Sequence, residues 1–139
     1  MSPPNPQELL AVIRRGYEIW NNGRLDLLEE LLSPDFRAHD PTAPGGLVSR
    51  GAIREVLEQI RVTFPDIRRE VCDYVTQGDK IAVRWRTIGT HRGPFAGMAP
   101  TGRQVVVTGI TFYRIAGGRI AEEWVEMDSA GLSRQLAGG

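Results

Sequence analysis

The sequence predicts an α+β domain, with N-terminal helices packed in a strongly curved antiparallel sheet. Three observations carry this. Apolar residues recur at helical spacing as far as Phe64. Beyond Pro65 the period changes to alternation. The alternating segments follow one another without helix-length links, which parallel strands would need. The 139 residues read as one domain, 1–139, without internal repeats or linkers.

The first helix opens at Asn5-Pro6, where Asn5 caps, Pro6 suits the first helical position and Glu8 completes a capping box. Leu9, Leu10, Ile13, Tyr17 and Trp20 form its apolar stripe, and Asn22-Gly23 ends it. "RLDLLEELL" is a short second helix stopped by Ser33-Pro34. "DFRAHDPTAPGGLVSRG" holds too much Pro and Gly for more than a strand fragment and a loop. A third helix carries Ile53, Val56, Leu57, Ile60 and Phe64 on one face. Four strands follow, in "IRREVCDYVTQGD", "KIAVRWRTIGTH", "RQVVVTGITFYRI" and "RIAEEWVEMD". Gly117-Gly118 joins the last two as a tight hairpin. A short helix over "SAGLSRQLAGG" is expected to fray.

Composition narrows the function classes. The formal net charge is +0 and the arginines are scattered, so neither nucleic acid nor an anionic membrane is an expected partner. No apolar run is long enough to span a bilayer and no signal peptide is visible, so a soluble, cytoplasmic protein is expected. Cys72 is the only cysteine and reads as a small packed residue, not a nucleophile. Phosphate-binding, dinucleotide-binding and nucleophile-elbow motifs are absent. Two isolated histidines, His39 and His91, do not make a zinc site, and no metal is expected at His39 and Asp40.

The chemistry-bearing residues that remain are carboxylates on the last strand. In a regular strand Ile120, Glu122, Trp124, Glu126 and Asp128 share a face, and a face with Ile and Trp is usually buried. A desolvated Glu122 is then a candidate general acid or base, with Asp128 second. The competing expectation is that these acids pair with Arg84, Arg86 or Arg114 across the sheet. Tyr17, Trp20, Trp85, Phe95, Met98, Phe112, Tyr113 and Trp124 are candidate walls of an apolar cavity for a small ligand.

The run "HRGPFAGMAPTGR", His91 to Arg103, and the pattern Glu122, Trp124, Asp128 in "EEWVEMD" resemble the SnoaL-like polyketide cyclases, also called ester cyclases. "FRAHDP", "FPD" and "YEIWNNGRLDLLEELLSPDF" are similar to that family as well, so the resemblance spans nearly the whole chain. It implies a cone-shaped α+β barrel shared with ketosteroid isomerase, scytalone dehydratase and limonene epoxide hydrolase. It implies aldol cyclisation of a polyketide-like molecule by a carboxylate base, without metal or cofactor. It also implies a homodimer through the sheet's outer face, here strands 80–92 and 104–115. The family's catalytic aspartate would match Glu122 or Asp128. Thr108 stands near where a basic donor is expected, and His39 and His91 are alternative donors. Phe95 and Met98, in the long link 90–105, would cover a ligand at the rim of the cone. Two other functions fit the same frame: a ligand-binding module without turnover, and a limonene-type epoxide hydrolase built from Arg84 or Arg86 with Asp128.

Overall fold

The computed structural model describes residues 4–138. Helix α1 spans Pro6–Asn22; Asn5 caps it, its Oδ1 accepting from the Glu8 backbone N–H at 2.9 Å. Gly23 closes it in the left-handed conformation (φ 67°), which a side chain would resist. A 3₁₀ turn over Leu25–Leu27 leads into α2, Leu28–Leu31.

The stretch expected to hold a strand fragment and a loop holds two strands, β1 (Leu32–His39) and β2 (Leu47–Ser49). Pro34 is tolerated in β1 because the pairing register breaks there, between Leu32 and Arg37. Helix α3 spans Arg50–Thr63. The four expected strands are β3 (Arg68–Gln77), β4 (Lys80–Thr90), β5 (Gln104–Ala116) and β6 (Arg119–Met127). Gly117 and Gly118, both at positive φ, make the hairpin between β5 and β6. Helix α4, Ser129–Leu136, is the last element of the described chain.

The six strands form one sheet in the order β2-β1-β6-β5-β4-β3. One pair corrects the all-antiparallel expectation: β1 and β6 run parallel. Most of the chain lies between them, which gives the return connection a parallel pair requires. The sheet's concave face meets α1, and Leu9, Ile13, Tyr17, Ile81, Val83, Trp85, Tyr113 and Ile120 join in one core. The arginines and long apolar residues of β4 and β5 that alternate with these point outward.

Two side-chain amides finish the sheet where strands lack neighbours. β3 is an edge strand, and Asn21 at the end of α1 both donates to Arg69 O and accepts from Arg69 N. β5 outruns β6, and Gln135 of α4 makes the same pair of bonds with Val106. Each amide stands in for a missing strand, so no backbone group at these positions is left unpaired.

Candidate active site

A single extra residue in β6 decides which carboxylate meets the interior. Arg114 pairs with Glu122, but Ile115 pairs with Ile120, so Ala121 is a bulge. The bulge breaks the regular alternation. Ile120 stays inside, while Glu122, Trp124 and Glu126 point outward and Glu123 points inward. The expected common face of Ile120 and Glu122 therefore does not exist.

Glu122 lies on the outer face in a ring of donors. His39 Nε2 sits 2.7 Å from its carboxylate, Arg37 Nε 3.1 Å and an Arg114 Nη 3.3 Å. The carboxylate only accepts, so Nε2 carries the hydrogen. The His39 hydrogen bond, then Arg114 and Arg37, hold Glu122 below the usual carboxylate range. The residue is 7% exposed because its partners cover it. His39 in turn stacks on Trp124 with 5.4 Å between centroids.

Glu123 faces a cavity of about 70 Å³ between α1, α3 and the sheet. Tyr17, Trp20, Arg69, Tyr113 and Glu123 contribute its polar and aromatic wall, and Ile13, Leu28, Phe36, Leu57 and Ile120 much of the rest. Arg69 and Glu123 both line the cavity and are partly buried. Burial pushes the Glu123 carboxyl up to about 7, with Arg69 opposing and the charge of Asp40 assisting. Asp40 follows β1 two residues beyond Ala38, the partner of Glu123 in the parallel pair. Among the described residues Glu123 has no hydrogen-bond partner and no ion pair within 4.0 Å.

Arg69 is the cation of this site. Its guanidinium carbon lies 3.6 Å from the centroid of Trp20 and 3.9 Å from that of Trp85. Nε donates to Thr87 Oγ1 at 3.0 Å. Burial pulls this guanidinium below its ordinary value. The sandwich is clamped: Trp85 Nε1 donates to Thr111 Oγ1, an Arg61 Nη donates to Trp20 O, and Asn21 holds the Arg69 backbone. Burial raises Tyr17 to about 12 and Tyr113 well above the ordinary phenol, so both remain neutral donors. The Tyr17 hydroxyl lies close to Tyr113 yet makes no hydrogen bond of good geometry among the described residues.

Of the sequence-derived candidates, Tyr17 and Trp20 line the cavity and Trp85 backs it through Arg69. Thr108, Phe112 and Trp124 lie on the outer face, because strand parity puts Val107, Thr111 and Tyr113 inside. Asp128 caps α4, its Oδ1 accepting from Gly131 N at 2.8 Å. His91 is fully buried away from the cavity lining; its Nδ1 accepts from Thr101 N and meets Thr101 Oγ1, tying down the long link. Phe95 and Met98 pair with each other in a small hairpin, and Phe95 packs on Phe64. His39 and Asp40 line one open outer pocket, but their side chains bond apart, His39 to Glu122 and Asp40 to Thr42. Arg84 and Arg86 are exposed, and Arg86 pairs with Glu70, so the arginines of the hydrolase reading do not meet Asp128 in the cavity.

Arg69 and Glu123 were not singled out by sequence reasoning. The signal for Glu123 was present: two successive glutamates inside a strand place one on each face. The signal for Arg69 was weaker, since "RREV" alternates into the concave face only in one of two registers.

Fold and cavity together define an α+β cone with a cation, Arg69, and a carboxyl, Glu123, on the wall of a largely apolar cavity. The SnoaL-like polyketide cyclase family model matches residues 10–136, and the chain belongs to that family. It is 26% identical over 130 residues to the aklanonic acid methyl ester cyclase AcmA of Streptomyces galilaeus, covering 93% of this chain and 90% of the relative. The nogalonic acid methyl ester cyclase of Streptomyces nogalater is 27% identical over 118 residues, covering 84% and 88%. Among solved structures, IdmH of Streptomyces antibioticus superposes with a TM-score of 0.83 at 34% identity, covering 93% of this chain and 98% of IdmH.

Proposed function

We propose that this protein, acting as one domain, closes a ring of a polyketide-like ester by an intramolecular aldol reaction, with Glu123 as the base. The observation that carries the reading is the Glu123 carboxyl, poised near neutrality by burial and facing Arg69 and two neutral tyrosines across the cavity. The ionised carboxylate takes a proton from a carbon beside a carbonyl. The enolate's charge develops on oxygen, where Arg69 and Tyr17 donate to it. The enolate carbon attacks a second carbonyl of the same molecule; a C–C bond forms and that carbonyl becomes an alkoxide. Glu123 returns its proton to the alkoxide, so the product is an isomer of the substrate and no electrons are gained or lost. The pocket's contribution is orientation, because both partners belong to one folded chain. Ligand pockets for drug-sized molecules span about 300–1,000 Å³. The smaller cavity here therefore takes the reacting end of a substrate rather than several rings at once.

The test uses the compounds in the relatives' names, aklanonic acid methyl ester and nogalonic acid methyl ester. Ring closure without change of mass is expected, lost in Glu123→Gln and kept in Glu122→Gln. Equal turnover in both variants sinks the assignment. The proposal includes a homodimer through the outer face, where Val106, Ile110 and Phe112 of β5 stand 39%, 48% and 49% exposed. Sedimentation at micromolar concentration checks it, a monomer counting against.

A further inference from the structure

A buried cation with no carboxylate against it is costly unless something else completes it. Among the described residues Arg69 is close to that position: it is partly buried, and Glu123, the carboxylate that lines the same cavity, makes no ion pair with it within 4.0 Å. Its faces are covered by Trp20 and Trp85, and Nε is taken by Thr87. Among the described residues its terminal nitrogens make neither a hydrogen bond nor an ion pair. These donors form a planar fork, and the fork borders the cavity. Tyr17 adds a hydroxyl without a well-formed bond on the same wall.

Resting on the cyclase reading, we infer that the substrate presents to Arg69 a planar pair of oxygens sharing one negative charge, the enolate of a β-dicarbonyl. The fork accepts two coplanar oxygens better than one. A simple ketone gives one oxygen; a β-keto ester or β-diketone gives two, and its acidic carbon needs only a carboxylate of near-neutral pKa to ionise. The flanking indoles then stack along the plane of the bound anion. A carboxylate shares this chemistry.

Four groups besides Arg69 face the bound anion or its neighbour Glu123. Tyr17 of α1 and Tyr113 of β5 stay neutral donors. Glu123 of β6 is the group that changes charge, and Asp40 beyond β1 acts on it. Ionised Glu123 neutralises Arg69 and repels an incoming anion. Affinity for the anion therefore falls as pH rises through about 7.

The experiment follows quenching of the tryptophan fluorescence, since Trp20 and Trp85 flank the fork. The probes are the anions of trifluoroacetylacetone and benzoate, with pentan-2-one and acetophenone as neutral counterparts. Saturable quenching by both anions is expected, the diketonate binding more tightly, and none by the neutral compounds. Arg69→Gln is expected to weaken the diketonate by about ten- to a hundredfold, the loss of hydrogen bonds to a charged group. Arg69→Lys, which keeps the charge without the fork, falls between. Glu123→Gln binds the diketonate at every pH and loses the decline above neutrality. Benzoate binding more tightly assigns the fork to a carboxylate and overturns the β-dicarbonyl. Neutral compounds binding as well as anions, or an undiminished Arg69→Gln, overturns the whole inference. Should Arg69→Gln not fold, Arg69→Lys and the pH dependence of the native protein decide. Binding needs no turnover, so a cyclase assay that fails leaves this result standing, and a Glu123→Gln variant that stays active refutes the base without touching Arg69.

Discussion

Glu122 and Glu123 are neighbours in sequence with opposite surroundings. On the outer face, Glu122 is ringed by Arg37, His39 and Arg114 and held ionised. On the inner face, Glu123 has no hydrogen-bond or ion-pair partner among the described residues and is raised toward neutrality by burial. The side chain is the same in both, so the difference comes from strand parity and the field on each side of the sheet. A carboxylate satisfied by three donors has little basicity left to use. One left unsatisfied in an apolar cavity keeps a proton exchangeable near neutral pH.

The sharpest way to break this contrast is to exchange each carboxylate for its amide. Glu123→Gln is expected to lower kcat/KM by about 10²–10⁴-fold, the usual contribution of a positioned general base. Glu122→Gln is expected to stay within a few-fold, about the scatter of a structural change away from the chemistry. Equal losses would erase the distinction between the faces.

Next comes the packing that holds the inner face. Gly109 pairs with Trp85 across β4 and β5, and an added Cβ would lie 2.4 Å from the indole Cζ2. Gly109→Ala is expected to cost about 1–3 kcal/mol in urea unfolding, as overpacking does. It would also disturb the stack on Arg69. On the outer face, Phe112→Asp is expected to leave unfolding in place and shift the sedimentation toward monomer, because Phe112 is half exposed and lies outside the core cluster.

Two smaller effects follow pH. Activity that needs ionised Glu123 rises with pH through about 7. Asp40→Asn removes a like charge, lowers the Glu123 pKa and moves that rise to lower pH, which a pH–rate profile detects. Glu122 behaves with the opposite sign. Its folded value lies below the ordinary 4.5, so its stabilisation is present above that value and is lost as pH falls through the folded one. In Glu122→Gln the melting temperature is expected to vary less between pH 7 and about pH 3 than in the native chain.

Much of this was legible in the sequence. The helix limits were written in Asn5, Pro6, Gly23 and Pro65, and the four long strands in their alternation, because both depend on neighbours within a few residues. Of β1 only a fragment was legible and of β2 nothing, since a stretch with Pro34, Pro41, Pro44 and two glycines looks mostly like loop until β6 offers it a partner. The outer pairing of Glu122 with Arg114 was one of two readings that spacing allowed.

The sequence alone therefore determined the helices, the four long strands and, through the His91–Arg103 and Glu122–Asp128 motifs, the family. Tertiary structure alone decided the site. The Ala121 bulge sets which glutamate turns inward, and the curl of the sheet brings Arg69, from the far edge strand, across the cavity from Glu123. Side-chain period is local and can be read along the chain. A register shift of one residue, and a meeting of strands fifty residues apart, exist only once the sheet has closed around α1.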